Sequence, residues 1–242
     1  MQSRRVRLKF VVTAGPTREY LDPVRFLSNP STGKMGFAVA RAAARRGHDV
    51  VLVAGPVALK TPRGVRRVDV TSARDMLAAV ERALSQQVSA SAKHQRRSRA
   101  STGAAGAQAP RTIFISTAAV ADWRPAKCAA KKLKKGQMSD TLRLVRNPDI
   151  LKTVARRARG SAIFVGFAAE TDDVLTEARR KCREKNLDMI AANDVTEKGS
   201  GFGTDTNRVT FVRKDGTVER LPLMSKLAVA GRIVRACEDL CS

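Results

Sequence analysis

The sequence predicts an α/β fold: a mostly parallel sheet flanked by helices, extended near its end by a β-hairpin. Three observations carry that prediction. Short β-rich apolar runs alternate with segments whose apolar residues recur at helical spacing, the pattern left by strand–helix crossovers in a parallel sheet. Two of those runs stop at Ala-Gly-Pro, at Ala14-Gly15-Pro16 and Ala54-Gly55-Pro56, and such turns end a strand. Late in the chain two further runs flank Lys214-Asp215-Gly216, a hairpin signal.

Residues 8–13 (LKFVVT) read as a buried strand, and 17–30 as a polar loop. From 31 to 46 the small and apolar residues Met35, Ala38, Val39 and Ala42 share one helical face. Arg45-Arg46-Gly47 closes that helix with basic side chains in the last turn and a glycine stop. Residues 49–53 (DVVLV) are a second strand and 65–70 a third, followed by a helix over 73–84. Residues 112–116 (TIFIS), 163–166 (IFVG) and 189–192 (MIAA) resume the sheet, with a helix over 173–185 between the last two. Residues 208–213 open the hairpin, and a helix from Ser225 ends the chain. Right-handed crossovers between such strands give a Rossmann-like sheet, and its ligands bind outside the carboxyl ends of the strands.

The chain of 242 residues is long enough to bury a full core and is read as a single domain, 1–242. No run approaches the length of a transmembrane helix, and the apolar run of MQSRRVRLKFVVTAG is too short for a secretory signal. Cys128, Cys182, Cys237 and Cys241 show neither CxxC spacing nor a zinc pattern, which fits reduced thiols and a cytoplasmic protein. With His48 and His94 as the only histidines, a multi-histidine metal site is excluded. The 46 Lys+Arg against 22 Asp+Glu give a net charge of +24, a field that attracts nucleic acid or small anionic substrates. One Trp, one Tyr and eight Phe are too few for a stacking platform, which argues against nucleic acid. Part of the charge sits in residues 86–111, a Ser/Ala/Gly-rich, acid-free stretch without periodicity, read as a disordered basic insertion.

Ser31-Thr32-Gly33-Lys34-Met35-Gly36 is the sharpest local motif, an S-x-G-x-x-G opening the first helix. Glycines there let a phosphate approach bare backbone, and the unpaired N–H groups of a helix start favour an anion. Close helix–sheet packing explains the same glycines. The motif is not a Walker A loop, because Ser28 and Met35 stand where Gly and Ser/Thr are required. Just upstream lie Arg25, a planar fork for phosphate or carboxylate, and Asn29, able to donate to a developing oxyanion. Both are also ordinary loop residues. Lys131-Lys132-Leu133-Lys134-Lys135-Gly136 reads either as a solvated face or as a lid that neutralises a leaving pyrophosphate. In residues 118–125 (AAVADWRP), small residues and Asp122 suit a base or ribose lying against backbone, or a simple turn.

Together TAGPTREYLDPVRFLSNPSTGKMG, AAVADWRP, KLKK, RNPDIL, VGFAAET, NLDMIAANDV and FGTDTN occur in the order found in a known family. The chain resembles the phosphopantothenoylcysteine synthetases (phosphopantothenate–cysteine ligases), the synthetase domain of the bacterial bifunctional coenzyme A biosynthesis flavoprotein. Only 86–111 falls outside the resemblance. It implies a ligase in which the carboxylate of 4′-phosphopantothenate attacks the α-phosphate of CTP, giving an acyl-cytidylate and pyrophosphate. The amine of L-cysteine then displaces CMP. It also implies Mg²⁺ held by phosphates and water with no assignable protein ligand, a homodimer with the site near the subunit interface, and a separate phosphopantothenoylcysteine decarboxylase as pathway neighbour.

Residue by residue, the resemblance assigns Asn29 to the activated carbonyl, Arg25 beside it, and Lys132 to the second half-reaction. It assigns Ser116, Thr117 and Ala118 to the backbone that reads the base, with Asp122 adjacent. Pro148, Asp149, Ile150, Leu151, Phe167 and Asn193 fall at nucleotide-binding positions, Lys181 and Lys185 aim at the nucleotide, and Ser31, Gly33 and Gly36 begin the phosphate-binding helix. Two departures stand out: Gly15-Pro16-Thr17 replaces Gly-Gly-Thr, and Ser31-Thr32-Gly33 replaces Ser-Ser-Gly. Pro16 removes a backbone N–H that could meet a phosphate. An ATP-using form of the ligase, a nicotinamide-dependent reductase and a basic nucleic-acid-binding protein are the competing readings. The reductase lacks the ribose-binding acid expected after DVVLV.

Overall fold

The computed structural model describes residues 6–98, 112–134, 141–158, 160–170, 172–197, 199–201 and 203–241. Its elements in chain order begin with β1 (Lys9–Ala14), the short β2 (Arg18–Tyr20) and β3 (Phe26–Ser28), then α1 (Lys34–Arg45), β4 (Asp49–Ala54), β5 (Val65–Asp69) and α2 (Ala73–Ser98). The middle of the chain forms β6 (Thr112–Ser116), β7 (Trp123–Pro125), β8 (Leu144–Arg146), α3 (Ile150–Arg157), β9 (Ala162–Glu170) and α4 (Val174–Glu184). Last come β10 (Met189–Asp194), β11 (Thr206–Asn207), β12 (Val209–Arg213), β13 (Val218–Arg220), β14 (Met224–Ser225) and α5 (Lys226–Asp239).

Eight strands form one sheet in the order β13-β12-β10-β9-β6-β1-β4-β5. The six from β10 to β5 are parallel, and β12 and β13 join antiparallel at one edge. β1 is buried along its whole length, as a central parallel strand covered on both faces must be. Its side chains alternate between two apolar layers. Phe10 and Val12 pack with Leu52, Ile115 and the helices α1 and α5. Val11 packs with Val51, Val53, Phe114 and residues of α2, α3 and α4. The chain leaves β1 through α1 to β4 on one side and returns through α2 to β6 on the other. The sheet therefore has its topological switch point between β1 and β6, and the crevice for a ligand opens at their carboxyl ends.

The mostly parallel sheet, its flanking helices and the C-terminal hairpin are as the sequence predicts. Four local expectations are corrected. α1 starts at Lys34 rather than residue 31, because Gly33 has φ +76°, outside helical space and open mainly to glycine. The loop 17–30 contains the antiparallel pair β2–β3. α3 was not anticipated; Asp149 caps it by accepting from the Lys152 N–H at 2.9 Å. α2 extends to Ser98, so residues 86–98 of the expected disordered insertion are helical. Gln, Ser, Ala, Lys and Arg continue a helix already nucleated, and no Gly or Pro interrupts them before Gly103. Residues 99–111 lie outside those described.

Candidate functional site

A cleft of about 710 Å³ opens at the switch point. Of the eighteen candidate residues, sixteen line it: Asn29, Ser31, Gly33, Gly36, Ser116, Thr117, Ala118, Asp122, Pro148, Asp149, Ile150, Leu151, Phe167, Lys181, Lys185 and Asn193. They come from the start of α1, the ends of β6, β9 and β10, the start of α3 and one face of α4. Arg25 and Lys132 do not line it.

The start of α1 is built to face an anion. No side chain caps it and its first turn holds no acid, so its leading N–H groups and positive dipole end point at the cleft. The two glycines play different parts. At Gly33 the positive φ is the requirement. At Gly36 it is space, since a Cβ there lies 2.5 Å from Ala14 Cβ and 2.9 Å from the Thr13 carbonyl; this glycine lets α1 press onto β1. Close packing thus explains Gly36 independently of any phosphate. Pro16 does not line the cleft: its carbonyl and ring nitrogen lie against Gly55, where a Cβ has no room. The loops after β1 and β4 cross there, and the N–H lost to proline faces that crossing.

Opposite, the segment after β6 is fixed by its own backbone. Ala118 N–H donates to Thr13 Oγ1 (3.3 Å), Ala119 N–H to the Gly15 carbonyl (2.9 Å) and Ala121 N–H to Thr17 Oγ1 (3.0 Å). Ala118 is left its carbonyl to offer a ligand. Asn29 Nδ2 donates to the Val120 carbonyl at 3.0 Å and reaches the Ala119 carbonyl at 3.4 Å, so its carboxamide staples the rim of the cleft. Asn147 does the same from below, Nδ2 to the Ala121 carbonyl at 2.8 Å.

Both α4-side lysines carry carboxylate partners. Lys181 pairs with Glu170 at 2.6 Å and Lys185 with Asp149 at 2.8 Å. Asn193, buried, accepts from Ser200 Oγ at 2.6 Å. Among the further cleft residues that escaped the sequence reading are Lys34, Asn207 and Lys226. Lys34 sits inside the glycine motif, and FGTDTN holds Asn207. For Lys226 the sole signal is its place directly after the N-cap Ser225.

Arg25 lies beside the cleft, in the turn between β2 and β3. Its guanidinium grips Asp22 and donates to the Leu133 carbonyl at 2.7 Å. Asp22 is fully buried. Burial opposes its charge, but hydrogen bonds from the Val24, Arg25 and Leu133 amides and from the Arg25 side chain win and hold the carboxyl well below the usual range. Lys132 is exposed on the strap next to that anchor; Lys135 and the rest of the lysine-rich segment through 140 lie outside the described residues. Among the described residues no group of three or more His, Cys, Asp or Glu side chains is arranged to hold a metal ion, and no helix is long and apolar enough to cross a membrane.

Sheet order and cleft define a Rossmann-like α/β protein with its main cleft at the switch point. Residues 6–93 and 97–240 match the family described as DNA/pantothenate metabolism flavoprotein C-terminal domain, and the chain belongs to that family. It is 47% identical over 233 residues, 96% of its length, to 52% of the coenzyme A biosynthesis bifunctional protein CoaBC of Vibrio cholerae. The protein of the same name in Bacillus subtilis is 46% identical over 93% of this chain and 50% of its own. The chain therefore spans about half the length of these relatives. A crystal structure of the C-terminal domain of a coenzyme A biosynthesis bifunctional protein CoaBC superposes with a TM-score of 0.76 at 38% identity, over 99% of this chain and 98% of that one.

Proposed function

We propose that this chain is a phosphopantothenate–cysteine ligase that uses CTP. One observation carries the reading: residues spread from Asn29 to Asn193, chosen from separate motifs, line a single cleft at the uncapped start of α1. The names of the relatives, coenzyme A biosynthesis proteins, support it.

The chemistry asks more for positioning and charge neutralisation than for a side-chain nucleophile. In the first step a carboxylate oxygen of 4′-phosphopantothenate forms a bond to the α-phosphorus of CTP, and the bond to the pyrophosphate oxygen breaks. The start of α1 takes the phosphates, and the Ser116–Ala118 backbone and Phe167 hold the base. Asn29 exchanges its longer contact, to Ala119, for the acyl oxygen. In the second step the amine of cysteine bonds to the acyl carbon, CMP leaves, and the ammonium proton passes to solvent. Lys132, on its tethered strap, serves this step.

Mg²⁺ supplies charge neutralisation of the triphosphate. Of the two aspartates lining the cleft, Asp149 is already tied to Lys185 and to the Lys152 N–H, which leaves Asp122 as a single carboxylate. That donor set fits an ion carried by phosphates and water. The proposal includes a homodimer: Val24, Phe26, Trp123 and Leu144, on the two hairpins beside the cleft, and neighbouring Leu142 are exposed apolar side chains that a second copy can cover.

The test is pyrophosphate release with 4′-phosphopantothenate and Mg²⁺, CTP against ATP, with and without cysteine. Release with CTP, and coupled product only with cysteine, is expected. Preference for ATP keeps the ligase and changes the nucleotide. No release with either, from folded protein, overturns the reading.

A further inference from the structure

Lys226 is the first residue of α5, and its side chain is 92% buried at the edge of the cleft, with 8% of its surface exposed. A lysine in a first helical turn ordinarily extends into water. Here the pairing of β11 with β14 brings the preceding loop over it. The backbone N–H of Lys226 donates to the Asp205 carbonyl at 2.9 Å. Its ammonium donates to the carbonyls of Gly201 at 3.0 Å and Thr204 at 2.5 Å. An ammonium has three donors, and two are accounted for.

No carboxylate stands within ion-pair distance of Lys226 among the described residues. The nearby Asp205 is spent on Lys34, at 2.8 Å. Lys34 itself is the first residue of α1 and lines the same cleft. Two lysines thus line the cleft onto which the uncapped start of α1 opens, one of them buried with no carboxylate at ion-pair distance among the described residues. A buried cation is retained at a cost unless something anionic meets it. Burial, and secondarily Lys34, pull the Lys226 ammonium below the ordinary lysine range, while Asp205 opposes this.

We infer that Lys226 is a phosphate-binding residue, its remaining N–H directed to a phosphate oxygen of the ligand held at the start of α1. The same ammonium ties the Gly201 and Thr204 carbonyls to the wall of the cleft, so ligand contact and loop position are coupled through one side chain. The inference rests on the nucleotide-ligase reading for the identity of the phosphate. Its chemistry, a polyanion between the start of α1 and Lys226, does not.

The experiment titrates inorganic tripolyphosphate, CTP and 4′-phosphopantothenate separately into wild type, Lys226→Met and Lys226→Arg, by calorimetry. Tripolyphosphate binding weakened about tenfold or more in Lys226→Met, roughly one charge-assisted hydrogen bond, and restored in Lys226→Arg is the expected result. If Lys226→Met does not fold, Lys226→Gln, which keeps a donor for Gly201 and loses the charge, carries the same expectation. A matching loss for CTP alone assigns the contact to the nucleotide, and for 4′-phosphopantothenate alone to the acyl substrate. Unchanged affinity for all three, or a wild type that binds none, overturns the inference. Wild type that binds tripolyphosphate but releases no pyrophosphate from CTP or ATP overturns the ligase reading and leaves this one standing.

Discussion

The guanidinium of Arg25 donates to the carbonyl oxygen of Leu133 at 2.7 Å, across 108 residues of sequence. The N–H of the same Leu133 donates to Asp22 Oδ2 at 3.2 Å, so both backbone groups of one strap residue are held by neighbours in a turn. Lys132 is the adjacent residue. Arg25→Ala removes the Leu133 contact together with the ion pair to buried Asp22; loss of the strap contact alone, one charge-assisted bond of about 1.5–3 kcal/mol, frees the strap about 10–100-fold more often. Faster proteolysis between residues 126 and 134, and a larger loss in product formation than in pyrophosphate release, are expected. Equal loss in both steps places Arg25 in the first half-reaction instead.

Lys132→Gln is expected to release pyrophosphate from CTP and 4′-phosphopantothenate but to form no joined product with cysteine. Quantifying both products in one reaction checks this, and normal product yield removes Lys132 from the mechanism.

Asn29 staples the rim of the cleft and, in the proposed reaction, meets the acyl oxygen. Asn29→Ala is expected to lower turnover roughly 10²-fold or more, the loss typical of one oxyanion donor. Near-wild-type turnover assigns Asn29 to the rim alone.

Gly36→Ala tests packing without reference to any ligand. The new methyl falls 2.5 Å from Ala14 Cβ, so α1 must lift from the sheet. Overpacking of this kind costs about 1–3 kcal/mol. A lower urea midpoint with an unchanged m-value is the expected result; an unchanged midpoint means the helix accommodates the methyl.

Glu238 gives the fold an acid-sensitive lock far from the cleft. It pairs with Arg46 and, at 2.7 Å, with buried His48. Burial raises its carboxyl, but the Arg46 and His48 hydrogen bonds outweigh that and lower it below the ordinary 4.5. A depressed folded-state value makes the contribution fully present above the unfolded value and lost as pH falls from about 4.5 through the folded value. Glu238→Gln should therefore destabilise the protein at pH 7 and narrow its deficit against wild type as pH drops below 4.5. Urea midpoints at both pH values read this, and a deficit that does not shrink rejects the lock.

The central strands were legible because β1, β4 and β6 are nearly continuous apolar runs, and the glycines after β1 and in α1 answer to local demands of φ and space. The sixteen cleft residues were reached through the family resemblance of separate motifs, and they meet in one cleft because strand ends and helix starts come together at a switch point. α3 was missed although its signals are local: Asp149 as cap, then Ile150, Leu151, Val154 and Ala155 buried on one face. A helix of eight residues is too short for periodicity to separate it from loop.

The chain alone determined the sheet, its parallel sense and the end at which a ligand can bind, because those follow from residue periodicity and turn chemistry over a few neighbours. Tertiary structure decided which charges meet: Lys181 with Glu170, Arg25 with Leu133, and Lys226 with the Gly201 and Thr204 carbonyls. A lysine or arginine has the same local signature whether solvated or buried. Its partner is chosen when distant loops close over it, and no sequence period encodes that distance.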